Sequence, residues 1–441
     1  MIYKHITFYE FFTIYIFKGN EVFNVITMKK IQIYIETYGC AHNQADSETM
    51  KEYLKKARFE ITNYENCDLI IFNTCTVKNP TEDKFFSRLK KEKKPVVICG
   101  CIPQSSSDDE RLINYSLVGV DNLNRIIEAI NETLNGNVVR FLERRNYERD
   151  FLPTHPENKF VAIVPILQGC MGNCTYCKTK FARGDLKSFS LMSILFQIKK
   201  ANDEDVREIW LVSQDNGCYG LDINLTLIDL LKEIIKLNLK CKVRIGMLNP
   251  NFAYKYRNEL AEILKNNCFY KFLHIPVQSG SNSVLKLMNR KYSIEEFETA
   301  LKIISEKNPT ITFSTDIICG FPSETEKDFE KTLNLISKWE FNIINVSKFY
   351  PRRGTVAASM KLLPTDVVKT RSSALMKFIK SQNPLKKFVN QIVEVNFVNE
   401  KIGYTDNYIS VLVDSKKDLS GQVLNVKIIS CGRFSLKGKL I

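Results

Sequence analysis

Short β-branched runs alternate with longer amphipathic runs twice along this chain, and that alternation restricts the fold more than any other feature. In the first series, residues 31–37, 69–74 and 96–100 read as strands and residues 47–56, 80–91 and 123–134 as helices. In the second, strands fall near 163–167, 208–212, 242–247, 272–276, 311–318 and 343–349, with helices at 225–237, 252–265, 294–306 and 326–338. Strands that alternate with helices pair in parallel, because each crossover helix must cover a sheet face. The fold class is therefore α/β: an open sheet for the first series, and for the six units of the second a partial barrel short of the closed eight-fold form. Beyond residue 381 the helical period stops. Residues 391–397, 408–413, 422–429 and 435–440 read as strands, with Gly403, Asn407, Gly421 and Gly432 at turns. A tail of short strands predicts a small β-barrel.

These changes of period divide the chain into residues 1–28, a tail or mis-assigned start; 29–140, the first α/β unit; 141–159, a linker of mixed charge with Pro153 and Pro156; 160–381, the partial barrel; and 382–441, the small barrel. The last unit holds nine Lys and Arg against five acidic residues. That excess suits either RNA or a plain solvated surface. The whole chain carries 63 Lys and Arg against 49 Asp and Glu, for a formal charge of +14. A surplus of that size favours a polyanionic partner, since phosphate neutralisation dominates nucleic-acid affinity. The apolar run at 6–17 is interrupted by Glu10 and is too short to span a bilayer, and no later stretch reaches that length without charges. No membrane partner and a cytoplasmic location are expected.

Thirteen cysteines, an odd number, argue against a secreted disulfide framework and for metal binding or inert burial. Three of them form Gln-Gly-Cys170-Met-Gly-Asn-Cys174-Thr-Tyr-Cys177, a Cys-x3-Cys-x2-Cys run directly after a strand. Gly169, Gly172 and Asn173 let this loop wrap closely, so that three thiolates converge on one iron–sulfur cluster. Three ligands on a four-iron cubane leave one iron open for the amino and carboxylate groups of S-adenosylmethionine (SAM). A structural zinc site wants a fourth ligand, and no fourth Cys or His stands nearby. Cys40, Cys75 and Cys101 each follow a strand of the first series, where ligands gather in open α/β sheets. Cys67, Cys99, Cys218, Cys241, Cys268, Cys319 and Cys431 read as core packing.

The spacing, followed by six barrel units, resembles the radical-SAM superfamily, and further motifs resemble its methylthiotransferases. Glu-Thr-Tyr-Gly-Cys40-Ala-His-Asn, Asn-Thr-Cys75-Thr-Val-Lys-Asn-Pro and Cys-Gly-Cys101-Ile-Pro-Gln look like the cysteine motifs of that family's amino-terminal domain. His274-Ile-Pro-Val-Gln-Ser-Gly-Ser, Thr315-Asp-Ile-Ile-Cys-Gly-Phe-Pro-Ser-Glu-Thr and Phe349-Tyr-Pro-Arg-Arg-Gly-Thr are similar to its barrel signatures. The final residues resemble its RNA-binding TRAM barrel.

The resemblance implies two four-iron, four-sulfur (4Fe-4S) clusters, one on Cys170, Cys174 and Cys177 and the other on Cys40, Cys75 and Cys101. It also implies SAM, a tRNA anticodon stem-loop as substrate, an electron donor and a sulfur source. Reductive cleavage of SAM would yield a radical that takes the hydrogen at carbon 2 of an adenine, and the second cluster would present methylated sulfur to that carbon. Lys178-Thr-Lys-Phe-Ala-Arg183-Gly resembles the archaeal and eukaryotic branch that modifies N6-threonylcarbamoyladenosine beside the anticodon. The alternatives are isopentenyladenosine in tRNA or another radical-SAM reaction.

Among supporting residues, Ser213-Gln214-Asp215 matches a family segment that contacts SAM, with Gln214 where relatives commonly carry Glu. Arg183 faces SAM or a cluster, or else makes a surface salt bridge. Gln278 and Asp316 fall at strand ends facing the presumed site, where strand capping explains them equally well. His274 reads as a satisfied core residue. Arg352 and Arg353 replace the Arg-Pro usual after Tyr-Pro, which leaves the shape of that loop open.

Overall fold

The computed structural model describes residues 16–18, 21–23, 30–77, 79–145 and 158–441. The expected tail at 1–28 and linker at 141–159 lie largely outside them, although Ile16–Lys18 and Glu21–Phe23 pair as a short antiparallel ribbon.

The first α/β unit is a six-stranded, all-parallel sheet. In spatial order its strands are Glu60–Ile61, Gln32–Thr37, Leu69–Thr74, Val96–Gly100, Ser116–Gly119 and Arg140–Phe141. Leu69–Thr74 and Val96–Gly100 are buried at every position, as expected of central parallel strands covered on both faces. The order reverses between Gln32–Thr37 and Leu69–Thr74. Ligands in such sheets bind at that reversal, outside the carboxyl ends of the strands.

The helix expected at 47–56 runs over Ala41–Lys56. Its first turns escape an amphipathic reading because they bury His42, Asn43, Asp46, Ser47 and Glu48, which no apolar stripe announces.

The second unit holds two parallel three-stranded sheets. Val161–Pro165, Glu208–Val212 and Lys242–Arg244 form one, and Phe272–His274, Thr312–Cys319 and Ile343–Lys348 the other. A single bridge, Val243 to Phe269, joins them, and no ladder closes Ile343–Lys348 onto Val161–Pro165 among the described residues. The partial barrel is therefore open on one side, as its six units predict.

Three of its helices start on capping boxes, Thr226 with Asp229, Ser293 with Glu296 and Thr325 with Asp328. Each cap satisfies two orphan donors and stabilises its helix by about 1 kcal/mol. The helix expected at 252–265 is two, Pro250–Lys255 and Arg257–Ile263. Leu191–Asp203 and Thr365–Ser381 are helices outside the expected set. Met192 and Phe196 leave the first of these apolar on its exposed face too, which blurs its stripe.

The last unit is a closed five-stranded barrel of Ile392–Phe397, Ile402–Tyr404, Ser410–Val413, Leu436–Leu440 and Val423–Cys431. Ile402–Tyr404, where only a turn glycine was expected, completes the closure. A Cβ on Gly403 would stand 2.5 Å from the Asn396 carbonyl oxygen, so that crossing admits only glycine.

This barrel docks at the amino-terminal ends of the larger barrel's strands. Lys271 N donates to the Asp406 carbonyl at 2.8 Å, and Asn158 Nδ2 to that of Val398 at 2.7 Å. Tyr404 stacks on Tyr408 with ring centroids 4.3 Å apart, and Arg244 lies 4.9 Å from the Tyr408 centroid. The carboxyl ends of the strands stay open for chemistry.

Candidate functional site

The amino-terminal thiols meet at the reversal of the first sheet. Cys40 precedes Ala41–Lys56, Cys75 follows Leu69–Thr74, and Cys101 opens the helix Cys101–Ser105. Cys40 is exposed, whereas Cys75 and Cys101 are buried. The Asn43 side chain touches Cys40, Cys101 and the residue before Cys75. Its Oδ1 accepts from Cys40 Sγ at 3.4 Å, and its Nδ2 donates to the Thr74 carbonyl at 2.9 Å and lies 3.9 Å from Cys101 Sγ.

Gly39 has φ +114°, and a Cβ there would come within 2.7 Å of Cys75 Sγ. Burial, and then the neighbouring Cys101 and Cys40, push the Cys75 thiol up to about 12. Such thiols ionise together only when a cation shares the pocket, which suits a metal cluster. Among the described residues, no three His, Cys, Asp or Glu side chains close around a point in the manner of a single-ion site. A four-iron cluster spreads its sulfur ligands more widely than one ion does.

The barrel thiols share one loop. Gly169 (φ +78°) starts it, where a Cβ would stand 1.8 Å from the Asp185 carbonyl oxygen. Gly172 N donates to Cys170 Sγ at 3.2 Å, and Cys177 begins the helix Lys178–Arg183. Burial, and then Cys174, push the Cys177 thiol up to about 11. Arg290 Nη1 donates to Cys174 Sγ at 3.2 Å, a link with no signal in the sequence.

Cys218, expected as inert core, is fully buried but also sits against Cys170 and holds that thiol below its ordinary value. Cys268 and Cys431 are only half-buried, at the margins of their cores, which corrects their assignment to the interior. Cys67, Cys99, Cys241 and Cys319 are buried as expected.

Two cavities flank the Cys170 loop. The smaller, about 190 Å³, is lined by Cys174, Asp215, Asn249 and Arg290 among others. Asp215 accepts from Asn249 N at 3.0 Å and Asn249 Nδ2 at 2.8 Å, and Arg290 donates to Asn249 Oδ1. The larger, about 540 Å³, takes its wall from Tyr176 of the Cys170 loop, Val77 and Pro80 beyond Cys75, and the ends of the last barrel strands. Its volume falls within the range of small-molecule sites.

The five expected SAM contacts divide. Gln278 and Asp316 line the larger cavity with His274. Asp316 is joined to His274 Nε2 at 2.9 Å and accepts from Asn345 Nδ2 at 2.8 Å, so His274 faces the cavity instead of the core. Ser213 stays local, donating to Asn216 Oδ1 and accepting from Asp215 N.

Gln214 reaches across the domain boundary. Its Oε1 accepts from Gly169 N at 2.8 Å, and its Nε2 lies 3.3 Å from His42 Nδ1. Arg183 makes no surface salt bridge. It is buried and donates to Asp46 Oδ2 at 2.6 Å, with Cys101 and Cys40 among its electrostatic neighbours.

Arg352, in the loop whose shape the sequence left open, donates to the Thr76 carbonyl and pairs with Glu82 at 3.4 Å. Asn249, Arg290 and Arg352 are the residues that sequence reasoning missed or left without a role. Asn249 precedes a Pro at the start of a helix, which was its only legible signal.

Comparison with known proteins agrees with this geometry. The radical SAM superfamily model matches residues 164–336, and the uncharacterized protein family UPF0004 model matches residues 32–117. The threonylcarbamoyladenosine tRNA methylthiotransferase of Drosophila melanogaster is 37% identical over 428 residues, covering 93% of this chain and 78% of that one. The human protein of the same name is 37% identical, with 92% and 74% covered. A probable one from Pyrococcus abyssi is 40% identical, with 83% and 88% covered.

Among solved structures, the radical S-adenosylmethionine methyltransferase TsrM of Kitasatospora setae superposes with a TM-score of 0.53 at 13% identity, covering 75% and 74%. That likeness speaks for the fold alone. The identity and coverage of the relatives go further: this chain belongs to the threonylcarbamoyladenosine tRNA methylthiotransferase family of radical-SAM enzymes.

Proposed function

We propose that this chain converts N6-threonylcarbamoyladenosine beside the tRNA anticodon to its 2-methylthio derivative. The observation that carries this reading is the larger cavity, whose wall is shared by the loops bearing both thiol sets. Cys170, Cys174 and Cys177 would hold one 4Fe-4S cluster, and Cys40, Cys75 and Cys101 would hold a second. With SAM bound, the first supplies a carbon radical able to take the hydrogen from carbon 2 of the adenine, a position closed to polar chemistry. The second would supply the sulfur, with its methyl group drawn from another SAM.

The chain's own residues position and exclude. Arg290 and Asp215 offer opposite charges to the amino-acid end of SAM in the smaller cavity. Gln278, Asp316, His274 and Asn345 give the larger cavity a polar wall, which suits a threonylcarbamoyl group better than a purely apolar isopentenyl one. Arg183 with Asp46, and Gln214 with His42, fix one thiol site relative to the other. A base in an anticodon loop is already unpaired, so presenting it costs less than extrusion from a duplex.

The reaction needs an external electron donor and a renewed sulfur source. We place the enzyme in the cytoplasm, and no described helix is long and apolar enough to cross a membrane. The functional units are those at 29–140, 160–381 and 382–441, the last a TRAM domain that holds tRNA.

The test is mass spectrometry of tRNA nucleosides from cells lacking the gene, rescued by the wild type or by Cys174→Ala. Return of 2-methylthio-N6-threonylcarbamoyladenosine with the wild type alone supports the reading. Persistence of that nucleoside in the unrescued cells, with loss of another thiolated species, refutes the substrate.

A further inference from the structure

The larger cavity contains an imbalance that the reaction at carbon 2 does not use. Its ionisable lining among the described residues is Tyr176, His274, Asp316, Lys348, Tyr350 and Arg352. His274 and Asp316 are joined to each other at 2.9 Å. Arg352 is spent on the Thr76 carbonyl and on Glu82 at 3.4 Å. Lys348 ends the strand Ile343–Lys348 and is exposed, and its ammonium makes no hydrogen bond or ion pair among the described residues.

Among the described residues, Lys348 is therefore the one cation of that wall left without a counter-charge. In the same lining, Gln278 holds φ +71°, fixed by backbone bonds from its N to the Asp316 carbonyl at 2.8 Å and from Ile318 N to its own carbonyl at 2.9 Å. A left-handed, non-glycine residue pinned on both sides is the kind of strain that folds retain where a side chain must be aimed.

We infer that Lys348 is the specificity-determining residue of this cavity, pairing its ammonium with the carboxylate of the threonylcarbamoyl substituent. The inference rests on the methylthiotransferase reading above and deepens it. An adenine without the substituent brings no negative charge to the cavity, and an isopentenyl group brings only uncharged hydrocarbon. A free ammonium at the mouth discriminates against both, because it gains a charge-assisted hydrogen bond with the carboxylate alone.

The test is binding of the full-length, cluster-loaded protein to fluorescent anticodon stem-loops, measured by anisotropy at fixed salt. One loop carries threonylcarbamoyladenosine, one its carboxyl methyl ester and one unmodified adenosine. The wild type should prefer the acid over the other two by about tenfold, within the reach of one charge-assisted bond. Lys348→Gln should reduce that ratio to about one through weaker binding of the acid loop, and Lys348→Arg should restore most of it.

Three results overturn the inference. Lys348→Gln keeps the tenfold ratio, or it weakens all three loops alike, as a plain phosphate contact would. Equal binding of the three loops by the wild type also ends it. The nucleoside analysis, which does not depend on Lys348, then shows separately whether the methylthiotransferase reading stands.

Discussion

The two thiol sites reach a similar arrangement by opposite routes. Cys170, Cys174 and Cys177 lie within eight residues, and their loop is shaped by its own glycines and by backbone bonds to sulfur. Cys40, Cys75 and Cys101 are spread over 62 residues and meet only because a parallel sheet reverses its strand order between the first and second of them. A local site survives wherever its loop folds. A distributed one depends on the sheet and on whatever fixes that sheet to the barrel, which here includes the buried Arg183–Asp46 pair.

The comparison is broken most severely at the thiols. Cys174→Ala should abolish both SAM cleavage and product, and remove roughly half of the iron and acid-labile sulfide. Cys75→Ala should remove the other half and abolish the methylthio product, while reductive formation of 5′-deoxyadenosine continues. Metal analysis and product chromatography distinguish the two, and loss of SAM cleavage in both variants would contradict separate roles.

Next in size is the buried ion pair. Arg183→Met should destabilise the chain by about 3–5 kcal/mol, since the buried Asp46 carboxylate loses its guanidinium partner. Adding Asp46→Leu should recover much of that loss in urea unfolding. An additive double variant would mean that the two side chains act independently.

Glu208, at the junction with the small barrel, sharpens the contrast, because its carboxyl accepts from the neutral donors Tyr270 Oη and Trp210 Nε1 instead of facing a paired cation. Burial lifts its pKa to about 7, against the lowering effect of Tyr270, Trp210 and Arg244. A carboxyl raised on folding contributes stability that is full below its unfolded value near 4.5 and is lost as pH rises through about 7. Unfolding free energy should therefore decline by about 1–3 kcal/mol across that window, and Glu208→Gln should flatten the decline.

The smallest effect belongs to Lys242→Ala, which removes a partly exposed pair with Asp406 at 2.6 Å. A pair so open to water contributes about 1 kcal/mol or less, and 0.5 M salt should erase the difference.

Much of the fold was legible because parallel sheets write themselves as apolar runs. The strands Leu69–Thr74, Val96–Gly100 and Glu208–Val212 have the bounds their composition predicts. What escaped was short or functional. Ser116–Gly119 is four residues long, and Ala41–Lys56 begins with polar residues buried for the site's sake.

In the candidate site, the residue types at Cys170, Cys174 and Cys177 were decisive, since chelation by neighbouring thiols depends on spacing and loop freedom, which a sequence states directly. The partners of Arg183, Gln214 and Arg352 were not legible, because each reaches a residue more than a hundred positions away. By itself, the sequence determined the alternation of strands and helices, the local thiol loop and the charge of the last barrel, all short-range or compositional properties. The tertiary structure alone decided how the distant thiols meet, that Arg183 is buried against Asp46, and that Lys348 has no counter-charge among the described residues beside the larger cavity, because burial and pairing across domains follow from packing and not from spacing along the chain.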